Sequence, residues 1–128
     1  MKNERKFCKC QKCGNIISFV YNSGAGITCC GEIMQELKPN TTDGAKEKHV
    51  PVVILNGEKL TVNVGSVAHP MTEDHHIAWI VATSENRTQR VVLQPTALPA
   101  VDFIVSSSKP VTVYAYCNLH GLWMTEVN

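Results

Sequence analysis

Residues 50–64 read VPVVILNGEKLTVNV. Two β-prone runs flank the dipeptide Asn56-Gly57, which favours a tight hairpin turn, and the second run alternates apolar and polar residues from Leu60 to Val64. Similar β-branched and aromatic runs follow at 77–83, 90–93, 101–105, 111–116 and 122–125. Seven short strands without a helical period predict a mostly β fold, a seven-stranded antiparallel sandwich of immunoglobulin-like or related topology.

The composition changes near residue 38. Five of the six cysteines lie at positions 8, 10, 13, 29 and 30, whereas all five histidines follow residue 48. The polar stretch at 38–46 between the two groups contains Pro39 and Gly44 and is typical of a linker. We therefore predict a small domain over residues 1–38, held by a metal because so short a chain rarely folds on burial alone, and a β-sandwich over residues 39–128.

Charge and hydropathy exclude several classes of partner. The formal net charge is +1, from 12 basic and 11 acidic side chains, which favours neither nucleic acid nor an anionic membrane as partner. No apolar run approaches the ~20 residues that cross a bilayer, and the first residues lack the apolar stretch of a signal peptide. We expect a cytoplasmic protein whose cysteines are metal ligands or catalytic thiols, because thiols are kept reduced there.

Four cysteines form the first candidate metal site. Cys10-x-x-Cys13 places two sulfurs on one turn, and the adjacent pair Cys29-Cys30 supplies two more. Four thiolates favour iron or zinc in a tetrahedron that the adjacent pair should distort, and composition does not choose between the two metals. We interpret the surplus Cys8 as a free thiol, although Cys8 in place of Cys10 is an alternative.

The second candidate site combines imidazoles with one thiol. Its members are His49, His69, His75, Cys117 and His120. We expect His49 to open a strand, while His69 precedes Pro70 in a loop and His120 precedes Gly121. These three histidines are therefore expected at turns where strand ends can converge, with Cys117 at the end of a strand. His75 and His76 cannot both face one ion on an extended chain, so one of them is a bystander. Four neutral imidazoles and one thiolate around a divalent ion leave a net charge near +1 and one open position, which suits a small anion.

Two other functions fit parts of this pattern. Cys117-x-x-His120-x-x-x-Met124 on a β-sandwich also fits a blue-copper electron carrier in which Met124 is the weak axial ligand. A zinc-binding interaction module on an inert sandwich is the other alternative. Metal content separates the possibilities: one copper per chain for the electron carrier, one zinc for the interaction module, and two irons if each cluster binds iron.

Taken together, the two clusters resemble those of the desulfoferrodoxins, the two-iron class of superoxide reductases, over nearly the whole chain. The motifs that carry the resemblance are CxxCGN at 10–15, CC at 29–30, EKHVP at 47–51, HPM at 69–71, ExHxIxW at 73–79 and CNLHGxW at 117–123. The resemblance implies a desulforedoxin-like N-terminal domain with a rubredoxin-type iron on Cys10, Cys13, Cys29 and Cys30. It also implies a catalytic iron with His49, His69, His75 and His120 as equatorial ligands and Cys117 as axial ligand, which selects His75 over His76.

The same resemblance implies the reaction. Ferrous iron reduces superoxide by one electron to hydrogen peroxide without releasing dioxygen, and a rubredoxin-like or other reductase donor restores the electron. Lys48 is expected to attract superoxide and to help hold water for protonation, and Glu47 to occupy the open position after oxidation. A homodimer is expected from the family. Cys8 and His76 depart from the family pattern, since His76 stands where an aromatic residue is expected.

Overall fold

The computed structural model describes residues 5–106 and 108–127. The chain forms two compact units, one ending at Lys38 and the other beginning at Pro39. Among the described residues, no helix combines the length and the apolar character needed to cross a membrane.

The first unit is built from very short strands. They are β1 (Phe7–Lys9), β2 (Ile16–Ser18), β3 (Thr28–Cys29), β4 (Glu32–Ile33) and β5 (Gln35–Leu37). One antiparallel sheet has the order β2-β1-β5, and β3 pairs with β4. Its buried cluster consists of Cys8, Cys10 and Met34, with Ile17 and Phe19 packed against it. So small an apolar core is typical of domains that depend on a metal.

The second unit contains one short helix and the longer strands. They are α1 (Lys46–His49), β6 (Pro51–Asn56), β7 (Lys59–Val64), β8 (Ile77–Ser84), β9 (Arg87–Val92), β10 (Ala100–Ile104), β11 (Val111–Cys117) and β12 (Gly121–Val127). One sheet has the order β10-β7-β6 and the other β12-β11-β8-β9. The β6–β7 hairpin turns at Gly57, whose φ of 64° suits glycine. The prediction of a mostly β fold is confirmed.

Strand β11 is the most buried element. All seven of its residues are buried, because β12 and β8 flank it in the sheet and its inward face packs on residues such as Leu60 and Phe103. Each buried aliphatic side chain contributes about 1.5–3 kcal/mol. The strand ends at Cys117, which is 0% exposed, so the core fixes the backbone that carries this thiol.

The expectation that His49 opens a strand is wrong. His49 is the last residue of α1, and β6 begins at Pro51. The ring of Pro51 disfavours a helical conformation for Val50, which is extended at φ −70° and ψ 121°. The helix therefore stops at His49, and its four residues are too few to give a periodic sequence pattern.

Candidate metal centres

Four of the five N-terminal cysteines converge. The sulfurs of Cys10, Cys13, Cys29 and Cys30 all lie within 4.8 Å of one another. The Sγ atoms of Cys13 and Cys29 are 3.6 Å apart, and those of Cys29 and Cys30 are 4.0 Å apart. Sulfurs about 2.3 Å from one metal at tetrahedral corners would be about 3.8 Å apart, so the cluster has the size of a tetrathiolate site. Cys8 lies outside this group, buried in β1.

Local backbone geometry explains how the adjacent pair reaches one centre. Cys30 has a φ of 53°, in the left-handed region that side chains rarely adopt. Neighbouring side chains of an extended strand point to opposite faces, and the left-handed residue cancels that alternation. On the other turn, the backbone N–H of Cys13 donates to the sulfur of Cys10 at 3.4 Å.

The crowding of the sulfurs moves the pKa values of neighbouring thiols in opposite directions. The N–H of Cys13 is the main cause that lowers the pKa of Cys10 to about 6. The pKa of Cys30 is raised to about 12, chiefly by its interaction with the side chain of Cys13. Crowded like charges separate pKa values in this way, and a bound metal cation removes the conflict. The four side chains therefore fit a metal that takes four thiolates.

In the second unit, two histidines present bare lone pairs to each other. Nδ1 of His49 lies 2.7 Å from the carbonyl oxygen of Ala45, and Nδ1 of His69 lies 2.7 Å from that of Pro70. A carbonyl oxygen can only accept, so the hydrogen of each neutral ring is on Nδ1 and each Nε2 is a lone pair. These two Nε2 atoms are 3.1 Å apart. No hydrogen lies between them, so their contact is repulsive unless a cation binds both.

The spacing of the nitrogens also fits a particular ligand geometry. Nε2 of His49 is 3.1 Å from Nδ1 of His120 as well as from Nε2 of His69. With metal–nitrogen bonds of about 2.1 Å, neighbouring nitrogens are about 3.4 Å apart in a tetrahedron and about 3.0 Å apart at right angles. The observed distances favour right angles, as among the equatorial ligands of a square pyramid.

His75 and Cys117 complete the cluster. The ligand atoms of His49, His69, His75 and Cys117 lie within 4.8 Å of one another. Among the residues that the structure describes, Nε2 of His75 is the buried side-chain nitrogen or oxygen atom without a hydrogen-bond partner. The sulfur of Cys117 accepts the backbone N–H of His120 at 3.4 Å and lies 3.8 Å from Nδ1 of that residue. An unpartnered buried nitrogen costs free energy, which metal ligation would recover.

The environment favours the neutral form of three of these imidazoles. Burial is the main cause that lowers the pKa of His49 and of His75, and it lowers the pKa of His69 to about 4. Burial also raises the pKa of the Cys117 thiol, so a bound cation must displace its proton. The positive charge of Lys48 contributes to the lowered pKa of both His49 and His75. The field of Lys48 therefore acts on this site.

Residues 42–45, interpreted above as part of a linker, support the site. The hydroxyl of Thr42 and the indole N–H of Trp123 both donate to the carbonyl oxygen of His120. The Trp123 ring stacks on His49 with centroids 4.9 Å apart. A Cβ on Gly44 would lie 3.1 Å from the Trp123 ring and 3.2 Å from Cε1 of His49. The contacts of Thr42 with His120, of Gly44 with Trp123 and of Trp123 with His49 join positions more than 70 residues apart, so the sequence held no signal for them.

Gly65 supports the short helix from the other side. The carbonyl oxygen of Glu47 accepts the N–H of Val67 at 2.9 Å and the hydroxyl of Ser66 at 3.2 Å. A Cβ on Gly65 would lie 2.7 Å from that oxygen and 2.9 Å from the carbonyl oxygen of Val50. Only glycine allows this approach. The helix holds Glu47 and Lys48 exposed, directly before the buried His49.

Two residues of the alternative hypotheses lie away from the cluster. His76 directs Nδ1 to the carbonyl oxygen of Thr72 at 2.9 Å, in the bystander position expected for one of the two neighbours. Met124 pairs with Tyr114, three ladder positions from the pair formed by Cys117 and Gly121. Three positions correspond to about 10 Å, so the blue-copper reading is not favoured.

Comparisons with known proteins extend over both units. The family model described as Desulfoferrodoxin matches residues 41–126. Desulfoferrodoxin from Nitratidesulfovibrio vulgaris is 43% identical over 126 residues, 98% of this chain and 99% of that protein. A desulfoferrodoxin homolog from Archaeoglobus fulgidus is 45% identical over 91% of this chain and 93% of its own. The crystal structure of the superoxide reductase from Treponema pallidum covers 98% of this chain and 99% of its own, with 34% identity and a TM-score of 0.78.

Proposed function

This chain belongs to the desulfoferrodoxin family, and on that premise we propose how its residues perform the reduction of superoxide. The protein is a superoxide reductase with two iron centres. Superoxide takes up one electron and two protons and leaves as hydrogen peroxide, and no dioxygen is produced. The electron comes from an external reductant.

The observation that carries the proposal is the pair of bare Nε2 lone pairs on His49 and His69, 3.1 Å apart. Together with His75, His120 and Cys117, these rings offer four nitrogens and one sulfur to the catalytic iron. When bound there, ferrous iron supplies the electron that superoxide receives. The neutral rings hold the cation without cancelling its charge, and the Cys117 thiolate donates electron density to it. Backbone hydrogen bonds fix the direction of the His49 and His69 rings, as is common for histidine ligands.

Lys48 and Glu47 act at the exposed side of the site. The ammonium group of Lys48 attracts the superoxide anion, and a local positive charge of this kind raises association rates by about 10 to 10³. Lys48 also helps to hold the water that provides protons. After oxidation of the bound iron, the carboxylate of Glu47 would occupy the remaining open position and so help the product to depart. Both roles are supported by the exposure of the two side chains on α1, next to His49.

The N-terminal unit binds the other iron through Cys10, Cys13, Cys29 and Cys30. We propose that this centre relays electrons from a rubredoxin-like or other reductase donor, or braces its small unit. We further propose a homodimer and a role in superoxide detoxification. A reducing compartment such as the cytoplasm is supported by the use of five cysteine thiolates as ligands.

Metal analysis of the full chain, purified anaerobically, tests the proposal. We expect two irons per chain, a visible spectrum that changes on mild oxidation, and hydrogen peroxide without dioxygen when superoxide is added. Cys117→Ser should abolish the thiolate absorption of the catalytic iron and leave that of the four-cysteine centre. Cys8→Ser, at a cysteine outside both clusters, is the matched control and should keep both. One copper or one zinc per chain, or catalysed release of dioxygen beyond that from the uncatalysed dismutation of superoxide, would refute the proposed function.

A further inference from the structure

The ladder between β8 and β11 becomes irregular where the catalytic site begins. Tyr116 pairs with Trp79, but the next residue, Cys117, pairs with Ile77, so Ala78 is an extra residue on β8. Bulges of this kind re-aim side chains and often lie beside functional sites. Beyond Ile77 the ladder ends, and the segment that carries His75 needs another connection to β11.

The side chain of Asn118 provides that connection. Its Oδ1 accepts the backbone N–H of His76 at 2.9 Å, and its Nδ2 donates to the carbonyl oxygen of Asp74 at 2.9 Å. The backbone N–H of Asn118 also donates to the carbonyl oxygen of His76 at 3.2 Å. Asn118, which follows Cys117, therefore forms hydrogen bonds with Asp74 and His76, the two neighbours of His75.

The backbone of His75 itself closes a local turn. Its N–H donates to the hydroxyl of Thr72 at 3.1 Å, and its carbonyl oxygen accepts the N–H of Thr72 at 2.9 Å. These two hydrogen bonds close the turn, and the hydrogen bonds of Asn118 tie it to the strand end at Cys117. The ring of His49 is fixed by a carbonyl oxygen, whereas His75 is fixed through the backbone on either side of it.

We propose that Asn118 is a positioning residue that holds the unpartnered Nε2 of His75 and the sulfur of Cys117 at the spacing the catalytic metal requires. The inference rests on the proposed function, since it assumes that these two atoms are ligands of one ion. Residues that orient metal ligands typically change metal affinity by about 10–100-fold when they are removed.

The test uses full-length protein in which the catalytic site is loaded with Co²⁺ while the four-cysteine centre keeps its iron. Co²⁺ affinity is measured by competition with a chelator, and the thiolate-to-cobalt absorption reports the bond to Cys117. Asn118→Ala should weaken Co²⁺ binding by about 10–100-fold and shift or weaken that absorption. The absorption of the four-cysteine iron should stay unchanged and serves as an internal standard.

Gln89→Ala is the matched control. Gln89 also donates a side-chain amide hydrogen bond of 2.9 Å to a backbone carbonyl, that of Ile104, and neither residue belongs to the histidine and cysteine cluster. The control should lose similar thermal stability and keep the parent's Co²⁺ affinity and absorption. A merely structural role for Asn118 predicts the same behaviour for both variants, and that result would overturn the inference.

Asn118→Asp keeps the test decisive if Asn118→Ala does not fold. Aspartate retains the acceptor for the His76 N–H but loses the donor to Asp74, and its negative charge by itself favours a cation. Weaker Co²⁺ binding or a shifted absorption supports the inference, whereas agreement with the parent in both measurements contradicts it. If the parent chain itself does not bind Co²⁺ through Cys117, the proposed function fails, and the fault does not lie with Asn118.

Discussion

The close approach of Gly65 to α1 makes Gly65→Ala an informative substitution. The added Cβ would lie 2.7 Å from the carbonyl oxygen of Glu47 and 2.9 Å from that of Val50, whereas ordinary contacts begin near 3.4 Å. Both obstacles are backbone atoms, so no side chain can rotate away, and the backbone must move by about 0.7 Å. Overpacking of this kind costs about 1–3 kcal/mol.

Two measurements follow from that displacement. In a unit of this size each kcal/mol lowers the melting temperature by roughly 4–8 °C, which thermal unfolding followed by circular dichroism will detect. Because the displaced helix carries His49, metal affinity at the catalytic site should also fall, by about 10–100-fold. Anaerobic titration of Co²⁺ against a competing chelator measures this second effect.

Gly57→Ala is the control for Gly65→Ala. Gly57 lies in the β6–β7 turn with a φ of 64°, and nothing lies within 4 Å of its added Cβ. Alanine there costs about 1–2 kcal/mol through left-handed strain alone, so the two variants should lose similar stability. Only Gly65→Ala should weaken metal binding. Equal Co²⁺ affinities for the two variants, or an unchanged melting temperature for Gly65→Ala, would show that the approach of Gly65 does not position the helix.

Three further substitutions test separate parts of the site. Lys48→Ala should slow the second-order reaction with superoxide by about 10-fold or more and flatten the dependence of its rate on ionic strength. Lys59→Ala is the control and should change neither property, because Lys59 pairs with Asp102. Stopped-flow kinetics at several salt concentrations compare the two variants. Cys13→Ser should reduce the iron content from two per chain to one and remove the visible absorption of the four-cysteine centre; loss of both irons would contradict independent sites. Thr42→Val removes one of the two donors to the His120 carbonyl, at a cost of about 1 kcal/mol. This variant should bind Co²⁺ about fivefold more weakly than Thr42→Ser, which retains a hydroxyl. Equal affinities of the two variants would exclude a role for the Thr42 hydroxyl.

Strand patterns and ligand types were accessible from the sequence because they are local. The hairpin at Asn56-Gly57 needs only a dipeptide with suitable backbone preferences between two β-prone runs. Likewise, Cys10-x-x-Cys13 carries its own turn, so its spacing alone predicts a shared metal. The choice of iron, and of His75 over His76, came from the family motifs and not from spacing.

Contacts between distant segments were decided only by the tertiary structure. Nothing local to Thr42, Gly65 or Asn118 distinguishes these residues from ordinary loop residues, because each acts on a backbone group brought close by folding. His49 was assigned to a strand for the same reason: a four-residue helix has no period, and its contacts with Ser66 and Val67 form only on folding. The sequence therefore determined which side chains can bind the metals, since ligand chemistry belongs to the residue. The direction of each ring and the spacing of the donor atoms exist only once the strands have packed.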